Sequence, residues 1–74
     1  MVVVTTDSVP GKTIVKRVGE IEARSNFLVL NETKGAQQNL EKKAAEMGAN
    51  AIIGFKIKKM GGHPTAYGTA VVVE

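Results

Sequence analysis

Few residues in this chain could do chemistry, and the richest stretch of them is Lys58-Lys-Met-Gly-Gly-His-Pro. Gly61 and Gly62 would let successive backbone N–H groups point at one anion, and Lys58 and Lys59 add positive charge beside them. His63 offers a hydrogen-bond donor or a metal ligand, and Met60 a soft thioether. The plainer reading is a hairpin turn whose lysines keep the protein soluble. His63 is the only histidine, so a metal at His63 needs donors from elsewhere. Glu20 and Glu22 have the spacing of paired carboxylates for acid–base work, or of an ordinary charged strand face. Asp7 and Ser8 suit an exposed loop that grips a ligand. Tyr67 sits in a strand that should be half buried, where its hydroxyl needs a partner. No nucleophile–base arrangement, P-loop or dinucleotide fingerprint is present, so no enzyme activity is expected. The glycines of Gly48-Ala-Asn-Ala-Ile-Ile-Gly open a strand instead of a helix, unlike a phosphate loop.

These residues need a scaffold, and it is organised around residues 41–57. Ala36, Leu40, Ala44 and Met47 recur at helical spacing, which predicts a helix over Glu32–Met47. Gly48 stops it, because glycine takes the left-handed C′ conformation without steric cost. Ile53, Phe55 and Ile57 then alternate with Gly54, Lys56 and Lys58, which predicts a half-buried strand over Ala51–Lys59. Upstream, the β-branched run Val2–Thr6 reads as a strand. Pro10-Gly11 suits the centre of a tight turn, with Asp7 as its cap. Thr13–Arg24 reads as a long strand with Ile14 and Val18 on one face. Ile21 and Ala23 have the opposite parity, which places a bulge or bend at Gly19. Phe27–Leu30 is an apolar run of ambiguous type, and Asn31 and Thr33 both suit a helix cap. Gly61-Gly62 is a turn, Pro64 should keep the next strand from running through it, and the last strand is Ala66–Val73. Gly68 marks a bulge or a close backbone approach. The order is β-β-α-β-β, an α+β domain with one helix on an antiparallel sheet.

The chain has 74 residues, enough for one domain over 1–74. A domain this small buries only about 60% of the surface its unfolded chain exposes. With no cysteine, neither disulfides nor a thiolate metal site can staple it. Small unstapled scaffolds often complete a core by association. Valine triplets at both ends present edges without charge, which invites pairing with another copy. A homo-oligomer is therefore expected. The net charge of +3 is mild, and aromatics make up 4%. Lysines interleaved with glutamates read as a solvated face, so neither nucleic acid nor membrane is an expected partner. No signal-peptide pattern is visible, and no apolar run approaches the ~20 residues of a membrane helix. The default location is cytoplasmic.

Three stretches together resemble a known family. They are Thr5-Thr-Asp-Ser-Val-Pro-Gly, Ala45-Glu-Met-Gly-Ala-Asn-Ala-Ile-Ile-Gly and Tyr67-Gly-Thr-Ala-Val-Val-Val. With the strand Thr13–Gly19 between them, the chain resembles the YbjQ-like family, whose members carry a heavy-metal-binding label. The resemblance implies a dodecin-like fold, a ring-shaped homopentamer and no established activity. Longer members carry a glycine- and arginine-containing insert that Ser25–Gly35 replaces with a short connection. Soft metals need thiolates or clustered histidines, which this chain lacks. Short relatives are described as selenium-binding, a chemistry that calls for a nucleophilic thiol. Covalent selenide capture is thus not expected, while coordination or anion binding stays open. Two functions follow as expectations. One is a non-enzymatic oligomeric module holding a selenium species, a metal ion or an anion at symmetry-repeated loops. The other is a structural ring or scaffold without a small ligand.

Overall fold

The computed structural model describes residues 1–24, 32–60 and 63–74; the side chains at 32–34, 59–60 and 63 stand outside that set. The chain runs β1 (Val2–Val3), β2 (Ile14–Arg24), α1 (Glu32–Glu46), β3 (Ala51–Met60) and β4 (His63–Val73). The strands form one sheet in the order β1-β3-β4-β2, with the helix on one face. This is the expected α+β arrangement. The three long strands pair antiparallel, as expected. One pairing departs from that expectation: β1 lies parallel to β3, so the sheet is mixed. A strand and a helix separate the two in sequence, and a connection of that length permits parallel pairing. The segment Phe27–Leu30, the cap Asn31 and the turn Gly61-Gly62 lie outside the described residues.

The edge expectation needs a correction. Val71–Val73 belongs to β4, which lies between β3 and β2, so the C-terminal valines are central. The edges are β1 and β2. Sequence shows β propensity at both ends equally; only pairing decides which end is inside.

Ala36, Leu40 and Ala44 are fully buried and pack on Ile21, Ile52, Ala66 and Ala70. The alanines let the helix lie close, and Leu40 fills the space between them. Helix α1 ends as the sequence predicts. Gly48 has φ +87°, its N–H donates to Ala45 O at 3.0 Å, and Ala49 N–H donates to Ala44 O at 3.0 Å. This pair of bonds is a Schellman motif, and Ala49 and Ala44 both join the core beneath it. Met47, expected on the buried stripe, is 41% exposed because it falls in this turn, beyond the end of the helical period. Thr33, offered as a cap, is inside the helix, which starts at Glu32.

The helix also serves the edge strand. Asn39 Nδ2 donates to Arg24 O at 2.8 Å, and Lys43 Nζ donates to Glu22 O at 3.2 Å. Four helical residues rise about 6 Å, and two strand residues span about 6.6 Å. The i, i+4 spacing on α1 therefore matches alternate carbonyls along β2.

Bulges decide which side chains face the helix. Pairing of β2 with β4 shifts register between Arg17 and Gly19, as Gly19 predicts, and also between Ile14 and Lys16. The additional shift separates Ile14 from Val18: Val18 packs on the helix side and Ile14 on the far side. In β3 the register shifts between Ile53 and Lys56, where Gly54 has φ +61°. Ile53 therefore packs on the far face, while Phe55 and Ile57 lie under the helix. The three do not share one face, as uninterrupted alternation would have them. Past the ends of β1 the chain still follows β3, with Phe55 N–H donating to Val4 O at 3.0 Å and Gly54 N–H to Thr6 O at 2.8 Å.

Two further expectations change. Pro64 does not delay the last strand, since β4 begins at His63 and Pro64 pairs with Lys59. Among the described residues it pairs with β3 alone, one position outside Thr65 where pairing with β2 begins, and a missing donor is tolerated there. Asp7 makes no turn-capping bond among the described residues, and Thr6 Oγ1 donates instead to Ser8 O at 2.8 Å. The Pro10-Gly11 turn itself is as expected: Lys12 N–H donates to Val9 O at 3.1 Å, and Gly11 has φ +74°.

This loop folds Val9 over one end of the far face, where Ala51, Ile53, Val71 and Val73 form a second small core. Asn50 ties that end together. Its side-chain amide donates to Val73 O at 2.8 Å, and its side-chain oxygen accepts from Val73 N–H at 2.8 Å. Asn50→Ala removes both bonds and is expected to lower stability by about 1–2 kcal/mol. Urea unfolding at fixed protein concentration measures it; an unchanged midpoint would show that water replaces both bonds without loss.

Candidate functional site

The other end of the far face is uncovered. Beyond the bulges, Glu20, Glu22 and Arg24 of β2 point away from the helix and are exposed, as their alternation predicts. Lys56 and Lys58 of β3 do the same on the opposite side. Between them run Tyr67 and Thr69 of β4, both half-buried. The register sets these residues in rows across three strands. Arg24, Thr65 and Lys58 form one row, and Glu22, Tyr67 and Lys56 the next; Glu20 lies beside Thr69. The face thus carries two carboxylates and then the Arg24 guanidinium along β2, hydroxyls along β4 and two ammonium groups along β3.

A shallow pocket of about 200 Å³ opens here, lined by Glu20, Lys56, Tyr67 and Thr69 with Ile21, Gly54 and Gly68. A second hollow shares Glu20, Ile21 and Tyr67 and adds Glu22. Lys58 Nζ stands 5.8 Å from the centroid of the Tyr67 ring, at the outer limit of a cation–π contact. Gly54, at the β3 bulge, and Gly68 contribute backbone to the lining.

Of the residues singled out from sequence, the structure describes Lys58 fully and places it over Tyr67. Met60 and His63 are the closing backbone pair of the β3–β4 hairpin, and Lys59 pairs with Pro64. The side chains of Lys59, Met60 and His63, and both Gly61 and Gly62, lie outside the described residues. Asp7 and Ser8 are exposed and outside the pocket lining. Glu20 and Glu22 together line the second hollow with Ile21 and Tyr67, and Glu20 alone of the two also lines the first pocket, where Lys56 joins it. Sequence reasoning missed Lys56 and Thr69 as site residues. Their alternation was visible; their meeting depends on strand register.

A family model described as "Putative heavy-metal-binding", the YbjQ model, matches residues 27–74. Among solved structures, the chain is similar to a crystal structure, at 2.73 Å, of a protein with unknown function of the DUF74 family from Pediococcus pentosaceus ATCC 25745. The TM-score is 0.72 and the identity 23%, covering 100% of this chain and 98% of that one. That likeness supports the fold alone. No curated protein matches the chain. Among the described residues no helix is long and apolar enough to cross a membrane.

The donors fit a heavy metal poorly. The chain has no cysteine, and among the described residues no group of three or more His, Cys, Asp or Glu comes together. The two pocket carboxylates are hard donors and share their face with Lys56 and Lys58, whose charge opposes a cation. One subunit does not supply a soft-metal site from these residues.

Proposed function

We propose, from the premise that this chain belongs to the YbjQ family, that it is a non-enzymatic oligomeric module holding a small ligand on the open face of the β3–β4 hairpin. The observation that carries this reading is the polar pocket around Tyr67, which the single helix and the N-terminal loop both leave uncovered. A small domain spends its polar residues on solvation; a pocket with convergent polar groups is the default binding-site hypothesis. In sequence Lys58 is followed by Lys59, Met60, Gly61, Gly62 and His63. Around a ring axis one His63 per chain becomes several, so a metal ion or a selenium species such as selenite would need donors from more than one copy. A homopentamer in the cytoplasm, with a dodecin-like ring, is the assembly in keeping with the family.

A second reading, a ring scaffold without a small ligand, is favoured by apolar exposure at the sheet edges. Val2 on β1 is 43% exposed and Val15 on β2 is 51% exposed. Native mass spectrometry of protein purified without added metal, then titrated with zinc, copper, selenite and selenide, separates the two. The binding module predicts an oligomer with a saturable added mass and a raised melting temperature, about 2.7 kcal/mol of stabilisation at a hundredfold excess over Kd. Lys59→Ala and His63→Ala should reduce the effect of any ligand held at the hairpin tip. An oligomer that takes up nothing favours the scaffold. A monomer at micromolar concentration removes both.

A further inference from the structure

We infer that the pocket around Tyr67 takes a small zwitterion, an amino acid or a molecule of that class, with its ammonium toward Glu20 and Glu22 and its carboxylate toward Lys56. The inference rests on the ligand-binding reading above and names the ligand.

The register supplies the first reason. Glu22, Tyr67 and Lys56 lie in one row across β2, β4 and β3. Neighbouring strands are about 4.8 Å apart, so the backbones carrying the two charges are separated by roughly 10 Å. The Tyr67 ring stands between them. Among the described residues no ion pair joins Glu20 or Glu22 to Lys56, although opposite charges share one small face. The middle strand β4 lies between them, and the pocket opens over it.

Charge selects the ligand class. A simple anion at Lys56 meets two carboxylates across the ring. A simple cation at Glu20 and Glu22 meets Lys56 and Lys58 across the sheet and Arg24 on the same strand. A molecule with both charges meets attraction at each end, and the same groups repel its single-charge analogues. Lys58 already stands over the Tyr67 ring, and the Thr69 hydroxyl beside Glu20 can donate or accept. Size favours a small molecule. The pocket beside Lys56 holds about 200 Å³, below the roughly 300 Å³ at which drug-sized ligand sites begin, and Glu22 lines the hollow that adjoins it.

The test is a titration of the intact protein with glycine, L-alanine and L-serine, with acetate and methylammonium as single-charge probes. Amide NMR shifts of Tyr67, Gly68 and Thr69 are the readout. The expected result is saturable shifts with at least one amino acid and binding about tenfold weaker or worse for both single-charge probes. Lys56→Met and the pair Glu20→Gln with Glu22→Gln should each weaken binding by about tenfold or more. All of these positions are exposed, so the fold should survive, and an unchanged amide spectrum elsewhere checks it. Acetate binding as tightly as the amino acids, with no effect of the glutamate substitutions, overturns the inference in favour of an anion site. Selenite or zinc binding without any amino-acid response overturns the inference while leaving the binding module intact. No response to any probe overturns both.

Discussion

Leu40→Ala should remove about 2–5 kcal/mol of stability. The number follows from what surrounds the side chain. Leu40 is fully buried at the centre of the helix's packed face, and its helical neighbours on that face are Ala36 and Ala44. In the sheet layer of the same core lie Ile21, Ile52, Ala66 and Ala70, with Gly68 close by. Leu40 is the one large apolar side chain among the buried helix residues of that core. The alanines beside it on that face are too short to collapse into the space, so most of the cavity should persist. A domain of 74 residues has a total stability of about 4–11 kcal/mol by the usual per-residue figure. One substitution thus removes a large share of it. Urea or thermal unfolding at a fixed protein concentration measures the loss, since assembly would shift both curves by mass action. A loss below about 1 kcal/mol would mean that the helix packs on the sheet through contacts other than these.

The second large effect is at Gly68. A Cβ there would overlap Ile52 Cγ2 and stand 3.3 Å from Ile53 O. The methyl it meets is attached directly to the Ile52 Cβ, and a β-branched residue cannot swing it aside without leaving its χ1 well. Gly68 is in the central strand β4, paired with Ile21 of β2 and flanked by the β3 pairs of Tyr67 and Thr69, so the backbone has little room to retreat. Gly68→Ala should therefore lower stability by about 1–3 kcal/mol through overpacking. A double-mutant cycle sharpens the test. In an Ile52→Ala background the obstructing methyl is gone, and Gly68→Ala should cost at least 0.5 kcal/mol less, within the usual ~0.5–3 kcal/mol range of coupled neighbours. Additive effects would show that the penalty comes from strand propensity and not from the clash.

What the sequence made legible was local. The helix over its alanine stripe, the Gly48 stop, the Pro10-Gly11 turn and the Gly19 bulge each depend on a few adjacent residues. The close approach at Gly68 was legible for the same reason, because a glycine in a strand needs an explanation. The misreadings share a different cause. Whether Val71–Val73 is inside or at an edge depends on where β2 pairs, and nothing near those valines encodes it. The parity of Ile53 against Phe55 turned on Gly54, a bulge signal of the same kind as Gly19. A clean apolar alternation across Gly54 disguised it. The candidate site divides in the same way. Glu20 and Glu22 showed their shared face in their spacing. Their meeting with Lys56 and Tyr67 is a matter of register between strands more than thirty positions apart, which spacing alone does not carry.

The bonds from Asn39 and Lys43 to the carbonyls of Arg24 and Glu22 have a kinetic consequence. Proteins commonly guard an outer strand with charge, proline or a twist within that strand. Here part of the guard is lent by the helix. When the helix lifts, even briefly, two carbonyls of β2 lose their donors together and become a template for another chain. The propensity to aggregate should then track the lifetime of the docked helix more closely than global stability. A substitution such as Asn39→Ala would shorten the lag before fibrils or precipitate form while moving the melting temperature little. Hydrogen exchange in α1 is the place to look for the early warning.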